Sequence, residues 1–246
     1  MYIRPFEDYS RALSGVDATT TKTARASSDR TRSLILQVAG EVFASKGYAA
    51  TTTADIAARA GLPKANVHYH FGSKQNLYVH VLEVVAQPYL EALSQFDDAA
   101  DPREALSAYI RSKVRIAQYQ PFAAKVFASE LMHGARRLPK AYADALRTGT
   151  QRSLGCLQGW IDQGLLAAVE PKFLLLTIWS ATQTYVNFGR QIAVITDKRQ
   201  ADEGDYADVV ATLIRLVLRG TAPATSDATG NAPARQARVL SATAFY

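Results

Sequence analysis

The residues with the clearest chemical potential fall into two groups. The first is Lys64-Ala65-Asn66, at the start of a short segment entered through Pro63. Asparagine can bond adenine in bidentate fashion, lysine can donate to guanine, and an alanine methyl can meet the methyl of thymine. All three need to stand on the leading turn of a helix that enters a major groove. Around them, Thr52, Thr53, His68, Tyr69, His70 and Lys74 bring hydroxyl, imidazole, phenol and ammonium groups of the kind that hold phosphate oxygens. The second group is Trp179, Gln183 and Asn187, spaced i, i+4, i+8 and so on one face of any helix that contains them. Amides on a mostly apolar helix cost free energy unless each finds a partner. A flat aromatic beside amides suits a small planar ligand that both donates and accepts hydrogen bonds. Pairing with backbone or with a second subunit would satisfy the same amides equally well.

The elements that must position these groups read as helices throughout. Leu34, Val38 and Val42 recur at helical spacing in a helix over 29–46 that Gly47 stops. Thr53–Ala60 and Lys64–Phe71 are two short helices. Gly61 between them permits a sharp turn and a close approach. Ile56, Ala57, Ala60, Leu62 and Val67 close a small core beneath that turn. Ser73 caps a longer helix over 74–96, with a bend expected at Pro88. Asp101-Pro102-Arg103-Glu104 is a helix start, with a cap, proline at the first position and an acid in the first turn. Further helices follow from Pro121 to Met132, from Pro139 to Gly164, over 172–195 as one long apolar element, and over 205–219. No alternating strand pattern and no internal repeat appears. The fold class is therefore all-α, with a helix-turn-helix unit at 29–78 followed by a larger helical domain at 79–220. Positions 1–28 read as a flexible basic arm and 221–246 as a disordered tail.

Composition narrows the function. The chain has 246 residues and a net charge of +6, unevenly placed. Residues 22–80 carry eight Lys/Arg against three acids, whereas 81–220 carry sixteen against fifteen. A basic first third on a near-neutral body points to a polyanionic partner for that third. No apolar run is long enough to span a bilayer, and the N-terminus lacks a secretory apolar core. Cys156 is the only cysteine, which fits a reducing cytoplasm and a small buried side chain. His68 and His70, two apart on a helix, point in different directions and make a poor metal pair. There is no glycine-rich phosphate loop and no nucleophile elbow. Gly155-Cys156-Leu157-Gln158-Gly159 reads as close helix packing. Neither an enzyme, a cofactor nor a metal is expected.

The pattern Thr53-x-x-Ile56-Ala57-x-x-Ala60-Gly61-Leu62, then Val67-His68-Tyr69-His70-Phe71-x-Ser73-Lys74-x-x-Leu77, resembles the signature of the TetR family of transcriptional regulators. His68 stands where that family more often has Tyr, and Pro63 where it often has a capping Ser or Thr. The resemblance implies that Lys64, Ala65 and Asn66 face bases, while Thr53, Tyr69, His70 and Lys74 grip phosphates. It further implies a homodimer through the C-terminal helices, bound to a palindromic operator. PFAAKVFASELMHGA (121–135) and LLAAVEPKFLLLTIWSATQTYVNFGRQIAVIT (165–196) are similar to the pyrimidine-utilisation repressors (RutR-type) within the family. That likeness implies that Trp179 and Gln183, with Tyr89 nearby, hold uracil or thymine. Thr184, Val186 and Asn187 depart from that branch, where His, Ala and Asp stand, so the effector can differ. The expected function is a repressor released from DNA by a small planar effector. A different effector, an activator with the same fold, and a non-specific architectural DNA binder remain alternatives.

Overall fold

The structure, a computed structural model, describes residues 21–96 and 101–223. Most of the expected arm (1–20) and nearly all of the expected tail (224–246) lie outside the described residues. Among the described residues ten helices follow in order: α1 (Thr21–Ala50), α2 (Thr53–Ala60), α3 (Lys64–Phe71), α4 (Lys74–Leu93), α5 (Pro102–Tyr119), α6 (Pro121–Met132), α7 (Lys140–Asp162), α8 (Pro171–Asn187), α9 (Gly189–Thr196) and α10 (Glu203–Gly220). A single 3-10 turn, Ser94–Phe96, extends α4. No strand occurs among the described residues, and none of their helices is long and apolar enough to cross a membrane.

Local chemistry sets most of these boundaries. At α2, Thr52 and Asp55 cap reciprocally: the Asp55 N–H donates to the Thr52 hydroxyl at 3.1 Å, and the Thr52 N–H donates to Asp55 Oδ2 at 2.9 Å. Gly61 ends that helix in the left-handed region at φ 66°, ψ 29°, where a side chain would be strained. Ser73 caps α4 by accepting from the Asn76 N–H, and Asp101 caps α5 by accepting from the Arg103 N–H. The helical path of α1 is interrupted at Gly47 (φ 77°, ψ 166°), the stop that the sequence suggests.

Three expectations shift. The first helix begins at Thr21, not Asp29, because 21–28 contains no glycine or proline and its Ala and Arg residues extend a helix at little cost. The long element over 172–195 is two helices. The backbone leaves helical geometry at Phe188 (φ −116°, ψ 40°), next to Gly189, a poor helix former. The last helix starts at Glu203 because Asp202 and Asp205 form a second reciprocal cap. Helix α4 runs through Pro88 without a break in its assignment.

One hydrophobic core runs through the described residues. Ile35, Val38, Ala39 and Val42 of α1 pack on Ile56 and Ala57 of α2, and on Val67 and Phe71 of α3. Leu77 and Tyr78 on α4 close this small core. Farther along the same helix, Val81, Leu82, Val85 and Tyr89 enter the core of the larger domain. Helix α10 buries no residue completely although Val209, Val210, Leu213, Ile214, Leu216 and Val217 lie along it. Leu216 remains 64% exposed there, and Phe173 on α8 60%.

Lys74 binds the chain that enters α2. Its ammonium donates to the Tyr48 carbonyl at 2.9 Å and to the Thr51 carbonyl at 2.9 Å, and sits 4.5 Å from the Tyr48 ring centre. Lys74→Met should therefore lower stability by roughly 1–3 kcal/mol, the usual cost of leaving part-buried carbonyls unsatisfied. A urea titration followed by circular dichroism checks this, with an unchanged midpoint contradicting the assigned role.

Candidate nucleic-acid interface and effector cavity

Helix α3 divides by burial. Val67 and Phe71 are inside, while Lys64, Ala65, His68 and Tyr69 are exposed and Asn66 and His70 half-buried. The first-turn triplet thus stands on the surface of a helix whose opposite face is fixed by the core. Tyr69 is 82% exposed, an aromatic outside the core. Its ring meets that of His70 edge-on at 5.0 Å. Burial, and then the charge of Arg32, hold the His70 imidazole below its usual range. That shift favours the neutral imidazole, which can still donate one hydrogen bond. His68 Nδ1 lies 2.9 Å from the Gly72 carbonyl, which positions its ring at the end of α3. Thr52 is exposed but its hydroxyl already serves Asp55, donating at 2.7 Å. Thr53 is half-buried beside it.

The basic character of this region is smaller than its count of cations. Lys46 pairs with Asp55 at 2.9 Å and Arg59 with Glu41 at 2.8 Å. Lys46, with Thr52, holds the Asp55 carboxyl at about 2. Lys74, placed with the phosphate contacts on sequence grounds, turns inward to backbone carbonyls, because its position at the head of α4 faces the end of α1. The side chains of Lys22 and Arg25 lie outside the described residues.

The second group lines a cavity of about 690 Å³ in the larger domain. Tyr89 comes from α4, and Trp179, Gln183 and Asn187 come from α8, so all four sequence candidates meet at one site. Tyr89 stacks on Phe127 of α6 with ring centres 4.4 Å apart. The Trp179 indole N–H donates to the Tyr109 hydroxyl, which leaves the ring face as the part of Trp179 available to a guest. Gln183 Nε2 is buried without a hydrogen-bond partner. A buried N–H left unpaired is costly, and an acceptor brought by a ligand relieves that cost.

Sequence reasoning missed Tyr109 and Lys113 on α5, both of which line the cavity. Lys113 is 9% exposed, and its ammonium lies 4.2 Å from the centre of the Tyr89 ring. Burial pushes its pKa down to about 7. The available signal was one lysine on the apolar face of α5, among Tyr109, Ile110, Val114, Ile116 and Ala117. Among the described residues, no group of acids, histidines and cysteine is arranged to hold a metal.

Comparison with known proteins identifies the family and the fold. Residues 35–81 match the model of bacterial regulatory proteins of the tetR family, and 82–224 match the C-terminal region of YcdC-like proteins. The chain is 31% identical to the HTH-type transcriptional regulator RutR of Escherichia coli (strain K12), over 85% of this chain and 98% of that protein. In fold it is similar to the ketosteroid regulator KstR2 of Mycobacterium tuberculosis, with a TM-score of 0.66 at 19% identity, over 78% of this chain and 95% of that one. It is similar also to the AibR regulator solved with isovaleryl coenzyme A and operator DNA, with a TM-score of 0.59 at 19% identity, over 76% and 97% of the two chains. The relatives are transcriptional regulators, which are not enzymes.

The buried Lys113 makes stability depend on pH. Its folded pKa lies below the ordinary value of 10.5. Between about 7 and 10.5 the unfolded chain therefore binds a proton that the folded chain does not, and stability rises with pH across that window. Lys113→Met should raise the thermal midpoint most below pH 7, and progressively less as pH approaches 10.5. Melting curves at pH 6.5 and 9.5 test this. Equal gains at the two values would contradict a buried, charge-disfavouring site.

Proposed function

We propose that this protein, which belongs to the TetR family of DNA-binding transcriptional regulators, is a homodimeric repressor released from its operator by a small planar effector. The observation that carries the effector half is the Gln183 amide, buried without a partner beside the Trp179 face in a 690 Å³ cavity. Sites of roughly 300–1,000 Å³, mostly apolar with few polar groups, are typical for small molecules. Uracil and thymine are the first candidates. Each offers a flat ring to Trp179 and carbonyl acceptors to the amide, and RutR is among the relatives.

On the DNA side, Lys64, Ala65 and Asn66 read base edges. Thr53, His68, Tyr69 and His70 contact phosphates, and Thr52 and Lys74 act mainly by holding the start of α2. Dimerisation is supported by the incompletely covered α8 and α10. Phe173, Leu176 and Leu216 remain exposed on these helices and need a second copy to cover them. Two recognition helices would then meet successive major grooves ~34–36 Å apart. An effector that prefers a dimer with another spacing weakens DNA binding by the factor by which DNA weakens effector binding. The protein acts in the cytoplasm, where its DNA is.

Fluorescence anisotropy on the DNA upstream of its own coding region, at fixed salt, tests the reading. Wild-type protein should bind this DNA in preference to competitor and be released by ~1 mM uracil or thymine. Asn66→Ala should lose about 1–3 kcal/mol of discrimination while folding normally. Trp179→Ala and Gln183→Ala should keep DNA binding but lose release. Release that persists in both variants would refute the assigned cavity.

A further inference from the structure

The ligand-lining surface of the cavity has an unusual charge inventory. It contains no aspartate or glutamate. It contains two cationic side chains, Lys113 and Arg147. Arg147 already pairs with Asp144 at 2.9 Å, on the exposed side of α7. Lys113 has no acid partner among the described residues, and the face of Tyr89 is the one charge-related contact that it makes. A lysine that served packing alone would be better replaced by an apolar side chain of similar length, because burying an unpaired ammonium is costly. Lys113, on α5, lines the same cavity as the unpartnered amide of Gln183 on α8, with the Tyr89 ring of α4 4.2 Å from its ammonium. Two groups on facing helices thus lack what the same guest can supply: an acceptor for the Gln183 N–H and an anion for Lys113.

We propose that the effector of this cavity is an anion, a planar ring bearing a carboxylate, and that Lys113 binds the carboxylate while Trp179 and Gln183 hold the ring. The inference rests on the reading of this cavity as the effector site and narrows the class of effector. A neutral pyrimidine satisfies Gln183 but leaves the lysine unpaired. The volume leaves room for a substituent beyond one ring. Binding of the carboxylate favours the charged lysine, so the protein takes up protons as the ligand enters above neutral pH. The other ionisable groups facing the site are Tyr89 on α4, Tyr109 on α5 and Arg147 on α7. Burial holds both tyrosines above their usual range, so neither changes charge near neutrality. The lining residues of α6 and α8 carry no ionisable group, and Glu130 of α6 is turned to the Tyr78 hydroxyl and the Arg137 N–H.

The test uses the full-length protein and two probes that differ by one carboxylate: uracil and its 6-carboxylate, orotate. Isothermal calorimetry at pH 8 should show orotate binding at least tenfold tighter than uracil. The heat of orotate binding should vary with the ionisation enthalpy of the buffer and that of uracil should not. Lys113→Met and Lys113→Gln should erase the preference by weakening orotate tenfold or more, with uracil affinity changed less than twofold. Lys113→Arg should retain most of the preference. Uracil binding as tightly as orotate, or a preference indifferent to Lys113 with no proton uptake, overturns the anionic effector and leaves the planar-effector cavity standing. Binding of neither probe by protein that still shifts its DNA overturns both readings.

Discussion

The structure depends first on a helix that its two parts share. Helix α4 begins under the helix-turn-helix unit, where Lys74 ties down the entry to α2, and ends in the larger domain, where Tyr89 forms part of the cavity wall. Its buried face is continuous from Leu77 to Leu93, so the small reading head does not rest on a separate core. A head of three short helices buries too little apolar surface to be rigid alone. Its orientation is therefore inherited from the body, and any displacement of α4 in the body moves the surface that meets DNA.

A second link runs beside the first. The Tyr78 hydroxyl on α4 donates to Glu130 Oε2 of α6 at 3.0 Å, and Glu130 Oε1 accepts from the Arg137 N–H at 2.6 Å. The Arg137 guanidinium covers the Tyr48 ring at 4.0 Å, near the end of α1. Phe127 and Met132 of the same α6 line the cavity. Cavity and reading head thus share two elements, α4 and α6, joined by a buried carboxylate that accepts two hydrogen bonds. Packed interfaces of this kind shift between discrete arrangements and do not deform smoothly. A guest that displaces Tyr89 or Phe127 biases both elements at once.

Much of this was legible in the sequence, for local reasons. The turn at Gly61, the cap at Ser73 and the start at Asp101-Pro102 are written in residues whose backbone preferences hold in any context. The stripe Trp179, Gln183, Asn187 was readable because α8 stays helical through Asn187. The break at Phe188 was not, since periodicity continues across it and only one glycine marks the place. The inward hydrogen bonds of Lys74 and the cavity position of Lys113 were not legible, for the opposite reason. A lysine's default is solvent, and only the approach of other elements, the end of α1 for one and Tyr89 for the other, turns it inward. Spacing within a helix does not carry that information.

Polar groups in the interior sharpen the point. Thr51, Ser107, Ser153, Thr182 and Thr221 are buried, and each donates its hydroxyl to a carbonyl one turn back along its own chain. Such residues satisfy themselves and say little about function. Glu130 is buried with two donors, and so marks a joint. Among the buried polar residues Lys113 remains, with a ring face but no acid, and among buried side-chain atoms the Gln183 Nε2 has no acceptor. Both lie on the wall of one cavity. Had they been scattered, each would read as a local imperfection that the rest of the fold tolerates. Their convergence from two different helices is better explained by a common missing partner, because one guest satisfies both groups together.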